Sequence, residues 1–263
     1  MSMNDKTKQL IMKNREFLKG YHFGDAGTEK TDQEQELPGI PCLKKRHQNF
    51  AIPLPAEFDK LNISGDIWDL IMQRKSCRKY LPKELSMQEL SFLLWAIQGI
   101  RKVAGRKNPV TFRSVPSAGS RHPLETYLFA NHISGLNKGI YHYLPGEHAL
   151  EVWNSNRDYD TQLIRALCGQ HFAASAPVLF VWSALPYRTE WRYGLKASKY
   201  ILLDAGHMCQ NLYLACGAIG CGACAIGAYD QDFLDELLDF APGPSSDSRY
   251  ECAVYAACAG HIE

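Results

Sequence analysis

The segment ASKYILLDAGHMCQNLYLACGAI, residues 197–219, constrains the fold more than any other. Its pattern is helical, and apolar residues occupy most of the circumference rather than a single stripe. Such a helix does not stand alone in water. It needs a core built around it or a second copy of the chain against it. GACAIGAY follows at once and reads as a strand whose glycines permit close packing. The chain therefore predicts a long central helix laid against a sheet.

Other periodicities supply the rest of that sheet. DIWDLIMQRKS predicts a short helix with Ile67, Leu70 and Ile71 on one face, and SMQELSFLLWAIQGI a second, opening with Ser86 and Glu89 in capping-box spacing. TYLFANHI, GIYHYLP and HALEVWN read as strands, the last two joined by a Pro-Gly-Glu turn. DYDTQLIRALCG and DQDFLDELLDF read as helices, PVLFVWSA as a central strand and YECAVYAACAGH as a final strand. Helices mixed with hairpin strands imply an α+β fold. Residues 1–65 differ: beyond a short amphipathic stretch, Gln9 to Leu18, they are rich in Gly, Pro and charge without a sustained period. They are expected to form an extended arm that wraps a partner subunit, with residues 66–263 as one domain.

Composition excludes several classes. A net charge of +1 gives no global field for nucleic acid or an anionic membrane. No apolar run approaches the roughly 20 residues that cross a bilayer, and MSMNDKTKQLIMKNREF lacks the apolar centre of a secretory signal. A cytoplasmic location is expected. The nine cysteines are odd in number and several lie in apolar stretches, which suits buried thiols in a reducing compartment.

Five constellations carry possible chemistry, and each also has a plain structural reading. Arg74-Lys75-Ser76-Cys77-Arg78 can grip a phosphate, or can complement a helix dipole. The loop in FRSVPSAGSRHPLE offers N–H and hydroxyl groups to an anion or a planar heterocycle, or simply connects two elements. Cys221 and Cys224 form a CxxC, a redox pair or half a zinc site, without a second pair at matched spacing. Asp204, His207, Gln210 and Asn211 interrupt the apolar helix and need partners or a cavity. Lys199-Tyr200 can move protons, or can be a surface lysine beside a packed ring.

Taken in order, RKSCRKY, LSFLLWAIQGI, VPSAGSRHPLETY, GIYHYLP and YILLDAGHMCQNLYLACGAIGCGACAIGAYD resemble the nitroreductase superfamily of flavoproteins. More narrowly they resemble the SagB-type dehydrogenases, whose relatives oxidise thiazolines and oxazolines in peptide biosynthesis. The resemblance runs from about Asp66 to His261. It implies a nitroreductase-like fold, a mainly antiparallel sheet packed by helices, that binds FMN as a homodimer with sites at the subunit interface. It assigns the ribityl phosphate to Arg74, Ser76 and Arg78. Pro116, Ser117, Ala118, Gly119 and Ser120 are assigned to the isoalloxazine, with this loop supplied by the partner subunit. It sets the backbone of Ala225, Ile226 and Gly227 close to the flavin, and gives Lys199 and Tyr200 the proton-transfer work of azoline oxidases. The terminal AGHIE offers no lysine or arginine to the phosphate, so the expected grip falls to Arg74 and Arg78.

The expected function is hydride transfer through flavin N5, with NAD(P)H as donor and a nitroaromatic or quinone as acceptor. No G-x-G-x-x-G follows a strand, so the nicotinamide is expected to stack on the flavin itself. The alternative is a SagB-type conversion of azoline to azole on a heterocyclic or peptide substrate. Two other classes stay open: a flavin-binding accessory protein without turnover, and a metal module on Cys221 and Cys224.

Overall fold

A computed structural model describes residues 5–18, 30–105, 108–154, 158–240 and 250–263. The chain opens with helix α1 (Asp5–Glu16), and strand β1 (Ile52–Pro53) ends the arm by pairing with the sheet. Helices α2 (Ile67–Gln73) and α3 (Met87–Gln98) follow, then a separate hairpin of β2 (Ile100–Ala104) and β3 (Val110–Arg113). Strands β4 (Leu124–Ala130), β5 (Gly139–Leu144) and β6 (Ala149–Asn154) form a meander, followed by helices α4 (Asp160–Ala166) and α5 (His171–Ala174). Strand β7 (Val178–Ala184), helix α6 (Tyr187–Tyr193), helix α7 (Ala197–Ala218), strand β8 (Cys221–Ile226), helix α8 (Gln231–Leu237) and strand β9 (Cys252–His261) complete the fold.

The main sheet has seven strands in the order β1-β6-β5-β4-β7-β9-β8, each paired antiparallel to its neighbour. Strands β4 and β7 are buried along their whole length, as expected where helices cover both faces. One face packs Leu90, Leu94 and Ile97 of α3 against Met208 and Leu212 of α7. The other packs Leu163 of α4 against Leu234 and Leu237 of α8. This is the expected α+β architecture, and PVLFVWSA is an interior strand. The capping box of α3 is complete: Ser86 Oγ accepts from Glu89 N at 3.2 Å, and Glu89 Oε2 accepts from Ser86 N at 2.7 Å.

Two readings need adjustment. Helix α2 buries none of its residues, and Ile67, Trp68, Ile71 and Met72 are exposed. Helix α7 is buried along one side only; Leu202, Leu203, Gly206, His207 and Gln210 lie open on the other. Both helices have the apolar surface that the sequence predicts, but the described residues do not cover it.

A buried ionic network ties the arm to the sheet. His142 sits between two carboxylates, with Nδ1 2.7 Å from Glu151 Oε1 and Nε2 3.0 Å from Glu125 Oε2. Both ring nitrogens face carboxylate oxygens, an arrangement that favours the imidazolium form of His142. Burial opposes that charge, but the carboxylates outweigh it and raise its pKa. Arg188 pairs with Glu125 at 2.6 Å, and Lys44 of the arm pairs with Glu251 at 2.6 Å. Glu151 also accepts from the backbone N–H of His47 at 2.6 Å.

Candidate active site

The basic segment after α2 runs along the open edge of β8. Ser76 forms a parallel bridge with Ala223, and Cys77 N donates to Ala223 O at 2.9 Å. This close approach requires Gly222, where a Cβ would fall 2.6 Å from Cys77 Sγ. Tyr213 of α7 collects the neighbourhood. Its hydroxyl lies 3.1 Å from Ser76 Oγ and accepts from Ala225 N at 2.8 Å, while Arg74 stacks over its ring at 5.2 Å. Arg74 and Ser76 are exposed, and no carboxylate among the described residues pairs with either arginine of the motif. An exposed guanidinium without a carboxylate partner among the described residues, set beside a hydroxyl, suits a phosphate. Gly227, just beyond β8, has open space where a side chain would stand. Arg78 turns to the other face of the sheet, over Phe172 at 5.8 Å, beside a cavity of about 390 Å³.

The Pro116–Ser120 loop is held from the opposite side of α7. Ala118 N donates to Asp204 Oδ1 at 3.4 Å, and Ser117 Oγ accepts from His122 N at 2.8 Å. Burial raises the pKa of the Asp204 carboxyl, against the Ser117 hydroxyl and the Ala118 N–H; its second oxygen has no partner. Gly119, Ser120 and His122 have φ of +55°, +54° and +45°. For the two non-glycine residues, that conformation costs on the order of 1–3 kcal/mol each and persists only under firm support.

Lys199 and Tyr200 are adjacent in sequence but diverge in space, about 100° apart around α7. Lys199 Nζ donates to Leu18 O at 2.8 Å, beyond the end of α1. Tyr200 packs edge-on against Tyr193 with centroids 4.9 Å apart, and Tyr193 closes over Gly119. Tyr200 therefore neighbours the loop through one ring, whereas Lys199 faces the exposed side. A cavity of about 310 Å³ opens near the first turns of α7, lined by Tyr187, Ser198, Leu202, Tyr250 and Val254 among others.

The two cysteines of the CxxC do not converge. Three residues apart on a strand, they face opposite sides of the sheet. Cys221 Sγ lies 3.6 Å from His261 Nδ1, while Glu89 Oε1 lies 3.3 Å from His261 Nε2. Thiol and carboxylate address opposite ring nitrogens, yet one ligand atom from each of Glu89, Cys221 and His261 lies within 4.8 Å of the others, a spacing that could hold a metal ion without Cys224. Burial pushes the Cys221 thiol up to about 12, which leaves it protonated and unreactive.

Three contributors escaped the sequence reading. Tyr213 is hidden in an apolar helix; its signal is a phenol that must find a partner when packed. Arg188 and Trp191 belong to α6, whose buried residues are Arg188, Thr189 and Trp191, so no apolar stripe marks it.

Comparison with known proteins follows the same lines. A protein of Methanocaldococcus jannaschii described as a nitroreductase is 32% identical over 176 residues, 67% of this chain and 85% of that one. The trifolitoxin-processing protein TfxB of Rhizobium leguminosarum bv. trifolii is 25% identical over 174 residues, 62% of this chain and 45% of TfxB. A nitroreductase-type crystal structure from Anabaena variabilis superposes with a TM-score of 0.72 at 23% identity, covering 95% of this chain and 46% of that one. A chain of the E. coli microcin synthetase McbBCD complex, bound to truncated pro-MccB17, superposes with a TM-score of 0.56 at 18% identity, covering 99% and 95%. This chain thus spans a little under half the length of TfxB and of the Anabaena protein. The nitroreductase family profile matches residues 71–256, from the end of α2 through the middle of β9, and so encloses the basic segment, the strained loop and the long helix between them: the chain belongs to the nitroreductase family.

Proposed function

We propose that the protein is an FMN-dependent oxidoreductase that acts as a homodimer. One observation carries this reading: an uncommitted Arg74–Ser76–Tyr213 cluster lies beside the small-residue end of β8. The cluster fits a phosphate monoester, and Ala225 to Gly227 offer backbone to a flat ring. When bound, FMN supplies the two-electron acceptor or donor. The chain's own residues do the rest. Arg74 and Ser76 hold the phosphate, while Arg78, over Phe172, stands apart from that grip. Asp204 fixes Ser117 and Ala118, so that the loop presents its backbone to the ring of the facing subunit.

Dimerisation follows from the surface. Ile67, Trp68, Ile71 and Met72 of α2 and Leu202 and Leu203 of α7 are exposed, and the two helices touch where Leu70 meets Gly217. An exposed apolar face of this kind suits a second copy. The donor is NAD(P)H and the acceptor a flat nitroaromatic or quinone. A second reading, dehydrogenation of an azoline in a peptide, is favoured by Tyr200 beside the loop and by the likeness to TfxB. In that reading Lys199 and Tyr200 accept the proton that leaves the substrate.

The deciding experiment is an absorption spectrum of the purified protein with identification of the released flavin. Turnover assays then use NADH or NADPH with a nitrofuran, and a thiazoline peptide under oxygen. Stoichiometric FMN with nicotinamide turnover supports the first reading, and thiazoline oxidation the second. A protein that neither carries nor takes up FMN overturns both.

A further inference from the structure

Helix α6 is gripped from two sides. On one side stands the loop. Arg121 Nε donates to the Arg188 carbonyl at 2.8 Å, and its guanidinium lies 4.7 Å over the Trp191 ring. Arg188 Nη1 donates to the His122 carbonyl at 3.2 Å. A Cβ on Gly119 would fall 2.6 Å from the Tyr193 hydroxyl and 3.1 Å from Arg192 Cδ, so the end of α6 closes over the loop.

On the other side stands the arm. Tyr187 Oη donates to Asp32 Oδ2 at 2.6 Å, Gln33 N to Trp191 O at 2.9 Å, and Trp191 Nε1 to Leu37 O at 2.8 Å. Gly39 lies against the Trp191 indole, where a Cβ would stand 3.3 Å from the ring. Arg188 Nε donates to Pro41 O at 3.0 Å. Arg188 is thus buried with one nitrogen on the arm and another on the loop and Glu125.

We propose that arm residues 32–41 are a positioning element for the Pro116–His122 loop, acting through α6, with Arg188 as the residue that joins them. The loop holds three left-handed residues in four, a costly conformation that persists where its surroundings support it. Among the described residues arm and loop share no strand pairing; α6 bonds to both across residues 32–41, and β3 reaches the arm just beyond, through Arg113 Nη2 to Cys42 O. Fixing α6 from the arm side removes the freedom by which the loop would relax. The benefit to catalysis rests on the reading of this loop as a flavin contact, whereas the brace stands on these contacts alone.

The test uses the full-length protein with its flavin and two variants. Gly39→Leu wedges the arm off Trp191. Arg188→Lys keeps a cation beside Glu125 but loses the fork that reaches Pro41 and His122 together. Amide hydrogen exchange is followed in the loop and in β7 and β9, with FMN affinity measured in parallel. Both variants are expected to speed exchange at Ser120, Arg121 and His122 by about tenfold or more while β7 and β9 keep their protection. FMN affinity falls with it. Loop exchange equal to wild type, or rising only in step with β7 and β9, overturns the brace. Faster loop exchange with unchanged FMN affinity supports the brace and removes the flavin role of the loop.

Discussion

Asp204 and Tyr213 stand on one helix and face opposite ways. Nine residues at 3.6 per turn is about two and a half turns, so their side chains point to opposite sides of α7. Asp204 holds the Pro116–Ser120 loop, and Tyr213 holds the Arg74–Ser76 segment. Within one chain these halves cannot enclose the same ring. Two chains related by a twofold axis can bring the loop of one to the grip of the other.

Trp68→Asp is therefore expected to produce a folded monomer that has lost its FMN. Helix α2 buries nothing within its own chain, so the substitution spares the core. Sedimentation velocity with absorbance at the flavin band reads both quantities at once. A monomer with stoichiometric FMN would show that one chain suffices.

Arg74→Ala removes one charge-assisted contact, worth roughly 1.5–3 kcal/mol. FMN dissociation constants are expected to rise by about 10- to 150-fold. Thermal unfolding of the flavin-free protein stays where it was, because Arg74 is exposed and its one ring contact is light.

Gly222→Ala pushes Cys77 away from β8, since the new Cβ would meet Cys77 Sγ at 2.6 Å and Ile262 Cγ2 at 2.8 Å. Overpacking of this kind costs about 1–3 kcal/mol. Urea unfolding should show that loss, and flavin titration should show weaker binding because Ser76 moves with Cys77. Adding Cys77→Gly recovers part of both, a coupling that a double-mutant cycle measures.

His142 and His122 pull stability in opposite directions with pH. His142, raised by Glu125 and Glu151, contributes fully below about 6.5 and loses its contribution as pH climbs through its folded value. Burial, with Arg113 adding, pushes His122 down to about 3; its contribution is complete above about 6.5 and drains away as pH falls toward 3. Burial lowers His148 in the same sense. Against the opposing effect of burial, Arg188 and His142 hold Glu125 low and His142 holds Glu151 low, so these carboxylates withdraw their share below about 4.5. Urea midpoints should peak near pH 6.5. In His142→Gln the alkaline decline flattens while the acid decline remains; an unchanged alkaline limb would rule out the imidazolium.

Lys199→Met separates the two substrate readings. If azoline dehydrogenation is the activity, kcat falls by about 10²–10⁴-fold with FMN content unchanged. If nicotinamide oxidation is the activity, the rate with a quinone acceptor hardly moves. Stopped-flow reduction of the flavin by each substrate gives the answer directly.

Most of the architecture was legible because each long element carries one strong period. Leu90, Leu93, Leu94 and Ile97 recur at helical spacing and all are buried, and PVLFVWSA has no polar alternation because both its faces are covered. Legibility failed where burial is polar. Helix α6 buries an arginine, a threonine and a tryptophan, so its pattern reads as surface. The β2–β3 hairpin was not foreseen: Ile100 continues the period of α3, Arg101 to Val103 are exposed, and the buried residues of β3 are Thr111 and Arg113, both polar. At the site, residue types in Arg74–Ser76 and Pro116–Gly119 suggest the chemistry proposed for them, but their separation around α7 depends on which helical face meets which segment. No local pattern encodes that.

Strand β8 ends the sheet, and the segment bearing Arg74 and Ser76 lies along its free side, bridged at Ala223. The far edge is blunted differently, by a two-residue strand that ends in Pro53, which has no N–H to offer. An open β edge is a template for other chains. The segment proposed to grip the phosphate is consequently also what covers that template. Whatever loosens Ser76 and Cys77 bares the N–H and C=O row of β8 to neighbouring molecules, so ligand loading and edge-to-edge association are expected to share a part.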